Sequence, residues 1–188
     1  MAATEPIRNK GELCAMAEYF REKGEFRNYC LIVLGVHTAL RISDLLKLRW
    51  SDVYDEERKK FYPHITLTEK KTGKVKSIAL NEHAVHALRC YLPYRHGTYI
   101  FESKRHGRPI DRSQAWRIIH EAANAIDATG HISCHSLRKT WGYHAWTSGV
   151  SPVVIMDVYN HSSYAVTRRY LGVTQDDLDQ AYLNVKLF

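Results

Sequence analysis

Near its C-terminus the chain reads HSSYAVTRRYLGV, His161 to Val173, which sets the phenol of Tyr170 directly after Arg168 and Arg169 and downstream of His161. A phenol among cations ionises more readily, and the same cations attract a phosphate. Three other fragments carry side chains of matching chemistry. ALRISDLLKLRW holds Arg41 with Asp44 three residues on, EKKTGK clusters lysines, and HSLRKT holds His135 and Arg138. The i,i+3 spacing of His135 and Arg138 puts both on one helical face.

These groups need elements to hold them. GELCAMAEYFREKG and FRNYCLIVLGVHTAL have helical apolar spacing, and the second is apolar enough for a central buried helix. Ser43 is expected to cap a short helix, leaving Arg41 just before its positive end. HITLTEKKTGKVKSIAL reads as two alternating strands joined by a lysine-rich turn containing Gly73, a hairpin with its lysines at or near the tip. Asn81 begins the helix EHAVHALRCYL, TYIF reads as a short strand, and Asp111 with Gln114 forms a capping box for RSQAWRIIHEAANAI. CHSLRKTWGYHAWTSG is a helix ending at Gly149, and SPVVIMDVYN opens with a serine cap and a proline in first position. Ser162 or Ser163 caps the helix carrying Tyr170, and Thr174 with Asp177 repeats the capping-box pattern for the last helix, QDDLDQAYLNVKLF. Trp50, Trp116, Trp141 and Trp146 are assigned to the core. The expected fold is mostly α with one small antiparallel sheet (α+β). Without repeats, low-complexity tracts or Pro/Gly-rich linkers, residues 1–188 read as a single domain.

Length and composition agree, since 188 residues suffice for one domain with a sizeable core. No apolar run approaches the length of a membrane span, and MAATEPIRNK lacks an apolar signal region, so a cytoplasmic location is expected. The four cysteines contain no CxxC pair and lie in or beside apolar segments, as expected of buried free thiols in a reducing compartment. Eleven histidines form no HExxH motif and no Cys/His cluster, so no metal is expected. The net charge of +7 points to a polyanion, and its distribution is uneven. ERKKFYPHITLTEKKTGKVK carries seven Lys or Arg and SKRHGRPIDRSQAWR five, whereas TQDDLDQAY is acidic. Lys70, Lys74, Lys104, Arg105, Arg168 and Arg169 are therefore the expected contacts to double-stranded DNA, although Arg168 and Arg169 could instead face the acidic tail.

Taken in order, Arg41, Lys71, His135, Arg138, His161 and Tyr170 resemble the catalytic set of the tyrosine recombinases, the phage-integrase family, over the chain from about residue 10 onward. ALRISDLLKLRW is similar to that family's first catalytic box, and HSLRKT with HSSYAVTRRYL to its second. The resemblance implies a site-specific recombinase that needs no metal, cofactor or ATP. Tyr170 would attack a DNA phosphodiester to give a 3′-phosphotyrosyl link and a free 5′-hydroxyl, and a second DNA end would reverse the step. Arg41 and Arg138 would clamp the non-bridging oxygens, for which guanidinium forks are suited. His135 would accept the phenol proton or hold a phosphate oxygen, and His161 would donate a second hydrogen bond to the phosphate. Lys71 would protonate the departing oxygen, with Lys70 the neighbouring alternative in strand register. Asp44 would orient the site.

The same chemistry in a type IB topoisomerase-like nicking enzyme, or a catalytically silent DNA-binding regulator on this fold, are the competing readings. The acidic capped tail resembles helices that the family packs on a neighbouring subunit, so self-association on DNA through the C-terminal helix is expected. Two departures from the family pattern stand out. Nothing but a few residues precedes the first helix where members usually carry a separate helical domain, and YNHSS replaces the common Leu-Gly before the second histidine. Asn160 can take the left-handed conformation that the glycine would supply.

Overall fold

The computed structural model describes residues 4–69, 73–103 and 107–185. Helix α1 (Lys10–Glu22) starts where the Asn9 side chain accepts from the backbone N–H of Gly11 at 2.7 Å, and it buries Met16, Ala17 and Phe20. Helix α2 (Phe26–His37) is buried from Asn28 through Val36, as its continuous apolar run requires. A short helix, α3 (Ile42–Leu45), follows, with Arg41 itself in the cap position. Ser43 therefore lies inside the first turn and is not the cap. Burial of Leu40, Ile42, Leu45 and Leu46 sets this register, overriding the local preference for a serine cap.

Strands β1 (Tyr54–Asp55) and β2 (Lys60–Phe61) form a minimal antiparallel pair that sequence patterning does not show. Strands β3 (His64–Thr68) and β4 (Val75–Ala79) form the expected hairpin, with Ile65 opposite Ile78 and Leu67 opposite Lys76. The stretch expected at its tip, Lys70 to Thr72, lies outside the described residues, as do Lys104 and Arg105. Helix α4 (Glu82–Tyr91) begins on an Asn81 cap. The expected TYIF strand is instead a single bridge, Tyr99 to Arg49. Ile100 and Phe101 are both fully buried, which an alternating strand at a sheet margin cannot satisfy, and the Glu102 carboxylate folds back to accept from the Tyr99 N–H at 3.0 Å.

Helix α5 (Arg112–Ala125) starts with Asp111 accepting from the Gln114 N–H at 2.7 Å. It turns Ala115, Ile118, Ile119 and Ala122 inward. Trp116 falls on the opposite face, 47% exposed and against His120, and so is not in the core. Trp50 is buried, whereas Trp141 and Trp146 pack half-buried on a second cluster. The cysteines divide similarly. Cys30 and Cys134 are buried and Cys90 half-buried, but Cys14 is exposed because α1 turns Met16, Ala17 and Phe20 to the core instead.

The C-terminal third consists of α6 (Cys134–Thr147), α7 (Pro152–Tyr159), α8 (Tyr164–Leu171) and α9 (Gln175–Asn184). Gly149 adopts the left-handed conformation just beyond α6, and Ser151 caps α7. Thr174 and Asp177 make the reciprocal capping box of α9, but Ser163, at the cap position of α8, makes no side-chain cap bond. The main core runs from α1 and α2 through α5 to the start of α6. A second, smaller cluster gathers Ala39, Ile155, Tyr159 and Leu171, and α6 lies between the two. No described helix is long and apolar enough to cross a membrane.

Candidate active site

Helix α6 supplies two of the expected residues. A capping box between Ser133 and Ser136 fixes its first turn, where His135 stands partly exposed. One turn on, Arg138 is 2% exposed. Its guanidinium donates to the carbonyl of Ala39 and, at 2.8 Å, to that of Tyr159, and lies 4.6 Å over the Tyr159 ring. The Tyr159 hydroxyl returns a hydrogen bond of 2.6 Å to the Arg138 carbonyl. Among the described residues Arg138 Nε is buried and has no hydrogen-bond partner, a donor left over after the carbonyls are served. Burial, with Arg41 nearby, lowers the Arg138 pKa, while Tyr159, Tyr170 and Glu69 oppose the shift. The group still keeps its charge.

Arg41, at the start of α3, is 19% exposed, and its Nη1 stands 3.0 Å from Oε2 of Glu69. Glu69 is 1% exposed and directly follows β3, at the turn end of the hairpin. Its other oxygen lies 3.6 Å from Nζ of Lys76. Asp44, buried in the first turn of α3, donates its backbone N–H to the Arg41 carbonyl at 2.9 Å.

Tyr170 and His161 come from the opposite side. After α7 the backbone turns through Asn160 in the left-handed conformation, φ 54°, as the substitution for glycine predicts. His161 Nδ1 lies 3.0 Å from Oγ1 of Thr167, a fully buried residue of α8. That bond and the buried Leu171 orient α8 so that the Tyr170 ring meets the edge of His161 at 4.7 Å and Tyr159 at 5.2 Å. The ammonium of Lys139 stands 5.7 Å from the Tyr170 ring.

Arg41, Arg138, His161 and Tyr170 are thus gathered around Tyr159 and Glu69. His135 is joined to them through the field rather than by contact: among the described residues its side chain forms no hydrogen bond with Tyr170. Partial burial, then the cations Arg112, Arg138, Lys139 and Arg41, lower its pKa and hold it neutral. Lys74 donates to Asn160 Oδ1 at 2.9 Å. Arg168 and Arg169 are exposed, and among the described residues neither pairs with Asp176, Asp177 or Asp179. Lys71, Lys70, Lys104 and Arg105 lie outside the described residues. A cleft of about 380 Å³ opens between hairpin and α7–α8 turn, lined by Glu69, Lys74, Lys76, Asn160 and His161 among others.

Residues 9–176 match the phage integrase family. The chain belongs to that family. It is 35% identical over 183 residues to the probable integrase/recombinase YoeC of Bacillus subtilis (strain 168), covering 97% of each chain. It is 28% identical over 165 residues to the tyrosine recombinase XerD of Mycobacterium tuberculosis, covering 83% of this chain and 51% of that protein. This phage integrase family member thus spans nearly all of one curated relative and about half of another. Among solved structures, the XerA recombinase superposes with a TM-score of 0.78 at 22% identity, over 97% of this chain and 64% of that one. A lambda integrase dimer bound to a COC′ core site gives 0.71 at 17% identity, over 100% and 65%. These likenesses establish the fold: a mostly helical tyrosine-recombinase catalytic domain with small antiparallel sheets.

Two buried residues of this integrase-family site escape sequence reasoning, Tyr159 and Glu69. Tyr159 has no local signal, being one aromatic in an apolar helix. Glu69 has a faint one, a carboxylate immediately before a run of lysines.

Proposed function

We propose that this chain is a site-specific DNA recombinase whose Tyr170 cleaves and rejoins strands by transesterification, residues 1–188 acting as one catalytic domain. The observation that carries the assignment is the convergence of Tyr170, His161 and Arg138 on the single ring of Tyr159, at 5.2, 5.0 and 4.6 Å. Those three side chains come from separate helices and turns, and a core packing role alone does not call for a guanidinium among them.

In this reading the Tyr170 oxygen attacks phosphorus, the bond to the 5′-oxygen breaks, and a 3′-phosphotyrosyl ester remains. The phenol proton passes to neutral His135, and the departing 5′-oxygen takes its proton from Lys71, leaving a 5′-hydroxyl. Arg41 and Arg138 bear the charge that grows on the non-bridging oxygens, His161 donates to one of them, and Asp44 supports the α3 turn that presents Arg41. A second 5′-hydroxyl reverses each transfer, so no cofactor is required. Lys70, Lys74, Lys104, Arg105, Arg168 and Arg169 contact the phosphates of duplex DNA, and Lys74 exchanges Asn160 for them.

The test is covalent capture on a duplex nicked near the scissile phosphate. Wild type should form a protein–DNA adduct that survives denaturation, and Tyr170→Phe should bind DNA without forming one; an adduct formed by the Tyr170→Phe variant would refute the assignment. Self-association through α9 is supported by the exposure of Tyr182 (82%), Leu183 (70%) and Val185 (66%) beyond an acidic first turn. Deleting residues 175–188 should abolish paired-site complexes while adducts at single sites persist, and retention of those complexes would exclude α9 as the contact.

A further inference from the structure

The buried carboxylate of Glu69 has no part in the steps above, yet it touches three of the elements that carry them. It follows β3 directly, and its backbone is pinned on both sides, its N–H to the Lys74 carbonyl at 3.0 Å and its carbonyl to the Gly73 N–H at 2.9 Å. The side chain pairs with Arg41 at 3.0 Å and Lys76 at 3.6 Å, and accepts from Asn160 Nδ2 at 3.4 Å. Lys76 in turn donates to the carbonyl of Val158 at the end of α7. One carboxylate therefore ties the start of α3, the turn end of the hairpin and the turn that delivers His161.

Two roles fit a carboxylate beside a phosphate-binding arginine. It could occupy Arg41 until DNA displaces it, or it could hold one nitrogen of the guanidinium so that the others face the phosphate. Displacement requires a side chain free to swing into water. Glu69 is 1% exposed, fixed at both backbone ends and bound to a second cation, so leaving would take the charge partner from a half-buried Lys76. The charge balance agrees. Lys76 and Arg138 both have lowered pKa values, first from burial and then from neighbouring arginines, and Glu69 opposes the shift of each.

We infer that Glu69 is a positioning residue of the strand-transfer reaction, which holds Arg41 in the orientation that meets the scissile phosphate. The inference rests on the recombinase reading above. Its action runs through Arg41, and that distinguishes it from a carboxylate that merely holds the hairpin down.

The experiment is a double-mutant cycle on single-turnover adduct formation at saturating nicked DNA. Glu69→Gln should slow the reaction about 10- to 100-fold, the range for a misdirected catalytic group. DNA affinity, measured by anisotropy in the Tyr170→Phe background, should change less than about threefold by the same reasoning. In the Arg41→Ala background, Glu69→Gln should add nothing further. Multiplying defects would show an independent structural role and overturn the inference, and faster cleavage with tighter binding would show a gate instead. Because removing one partner of a buried pair can unfold a domain, Lys76→Met and the Glu69→Gln/Lys76→Met pair accompany it. Lys76→Met alone should slow cleavage less than Glu69→Gln does and the pair should remain as slow as Glu69→Gln; a pair at wild-type rate also overturns the inference. If wild type itself forms no adduct, the recombinase reading fails, whatever the Glu69 variants do.

Discussion

Gly142→Ala is the sharpest test of how the site is built. In an ordinary helix interior this change stabilises by about 1 kcal/mol, because alanine restricts the unfolded chain and favours the helix. Here the added methyl would stand 2.1 Å from the hydroxyl oxygen of Tyr159, 2.8 Å from Cζ and 2.9 Å from Cε2. Comfortable contact needs about 3.5 Å, so the Tyr159 ring must shift by more than roughly 1 Å. Overpacking of this kind costs about 1–3 kcal/mol, and the lost hydrogen bond from Tyr159 to the Arg138 carbonyl about 1 kcal/mol more. Against the helical gain, the net is a destabilisation of about 1–3 kcal/mol, or roughly 3–10 °C in Tm for a chain of this size. The larger effect falls on chemistry, since the ring that moves supports Arg138, His161 and Tyr170 together. Misplacement on this scale slows strand cleavage by about 100-fold with DNA affinity little changed. Thermal unfolding, anisotropy and single-turnover adduct formation measure the three quantities. Adding Tyr159→Phe removes the closest clash but leaves Cζ and Cε2 within 3 Å of the methyl, and should restore only part of the lost Tm. If Gly142→Ala matches wild type in both Tm and cleavage rate, Tyr159 does not support Arg138, His161 and Tyr170.

Two further outcomes concern proton transfer. Lys71→Ala should slow cleavage of ordinary DNA severely, yet be largely rescued when the bridging 5′-oxygen is replaced by sulfur, because a thiolate departs without a proton; Arg41→Ala should gain no such rescue. Rescue by Lys70→Ala in its place would move the acid by one residue. With its pKa lowered, His135 should remain neutral, so the acid limb of the cleavage rate should lie below the ordinary histidine value of about 6.5. The same shift makes the unfolded chain bind more protons between the lowered and ordinary values. Stability should thus fall as pH drops through that window and level off beneath it, with His37 and His144, also lowered by burial, adding in the same direction. An acid limb above 6.5, absent from a His135→Gln variant, would refute the neutral-base assignment.

The elements most legible in the sequence are those whose signals are local. The caps at Asn81, Asp111, Ser151 and Thr174, the left-handed Gly149 and Asn160, and the hairpin between His64 and Ala79 follow from preferences acting across a few residues. Elsewhere burial overrides those preferences. Ser43 lost its cap because four apolar neighbours set the register of α3, TYIF lost its strand because consecutive residues are buried, and Trp116 sits on the outer face of α5.

By itself the sequence determined the types and order of the groups from Arg41 to Tyr170, and hence the family. What holds those groups was decided only by the tertiary structure. Arg138 was legible as a candidate phosphate ligand, but its burial was not, because its acceptors are the carbonyls of Ala39 and Tyr159, 99 and 21 residues away. A backbone carbonyl is the same in every residue, so no side-chain pattern announces it. The carboxylate beside Arg41 is equally distant from any local rule: Glu69 meets it only because the turn end of the hairpin folds against the start of α3 and the end of α7.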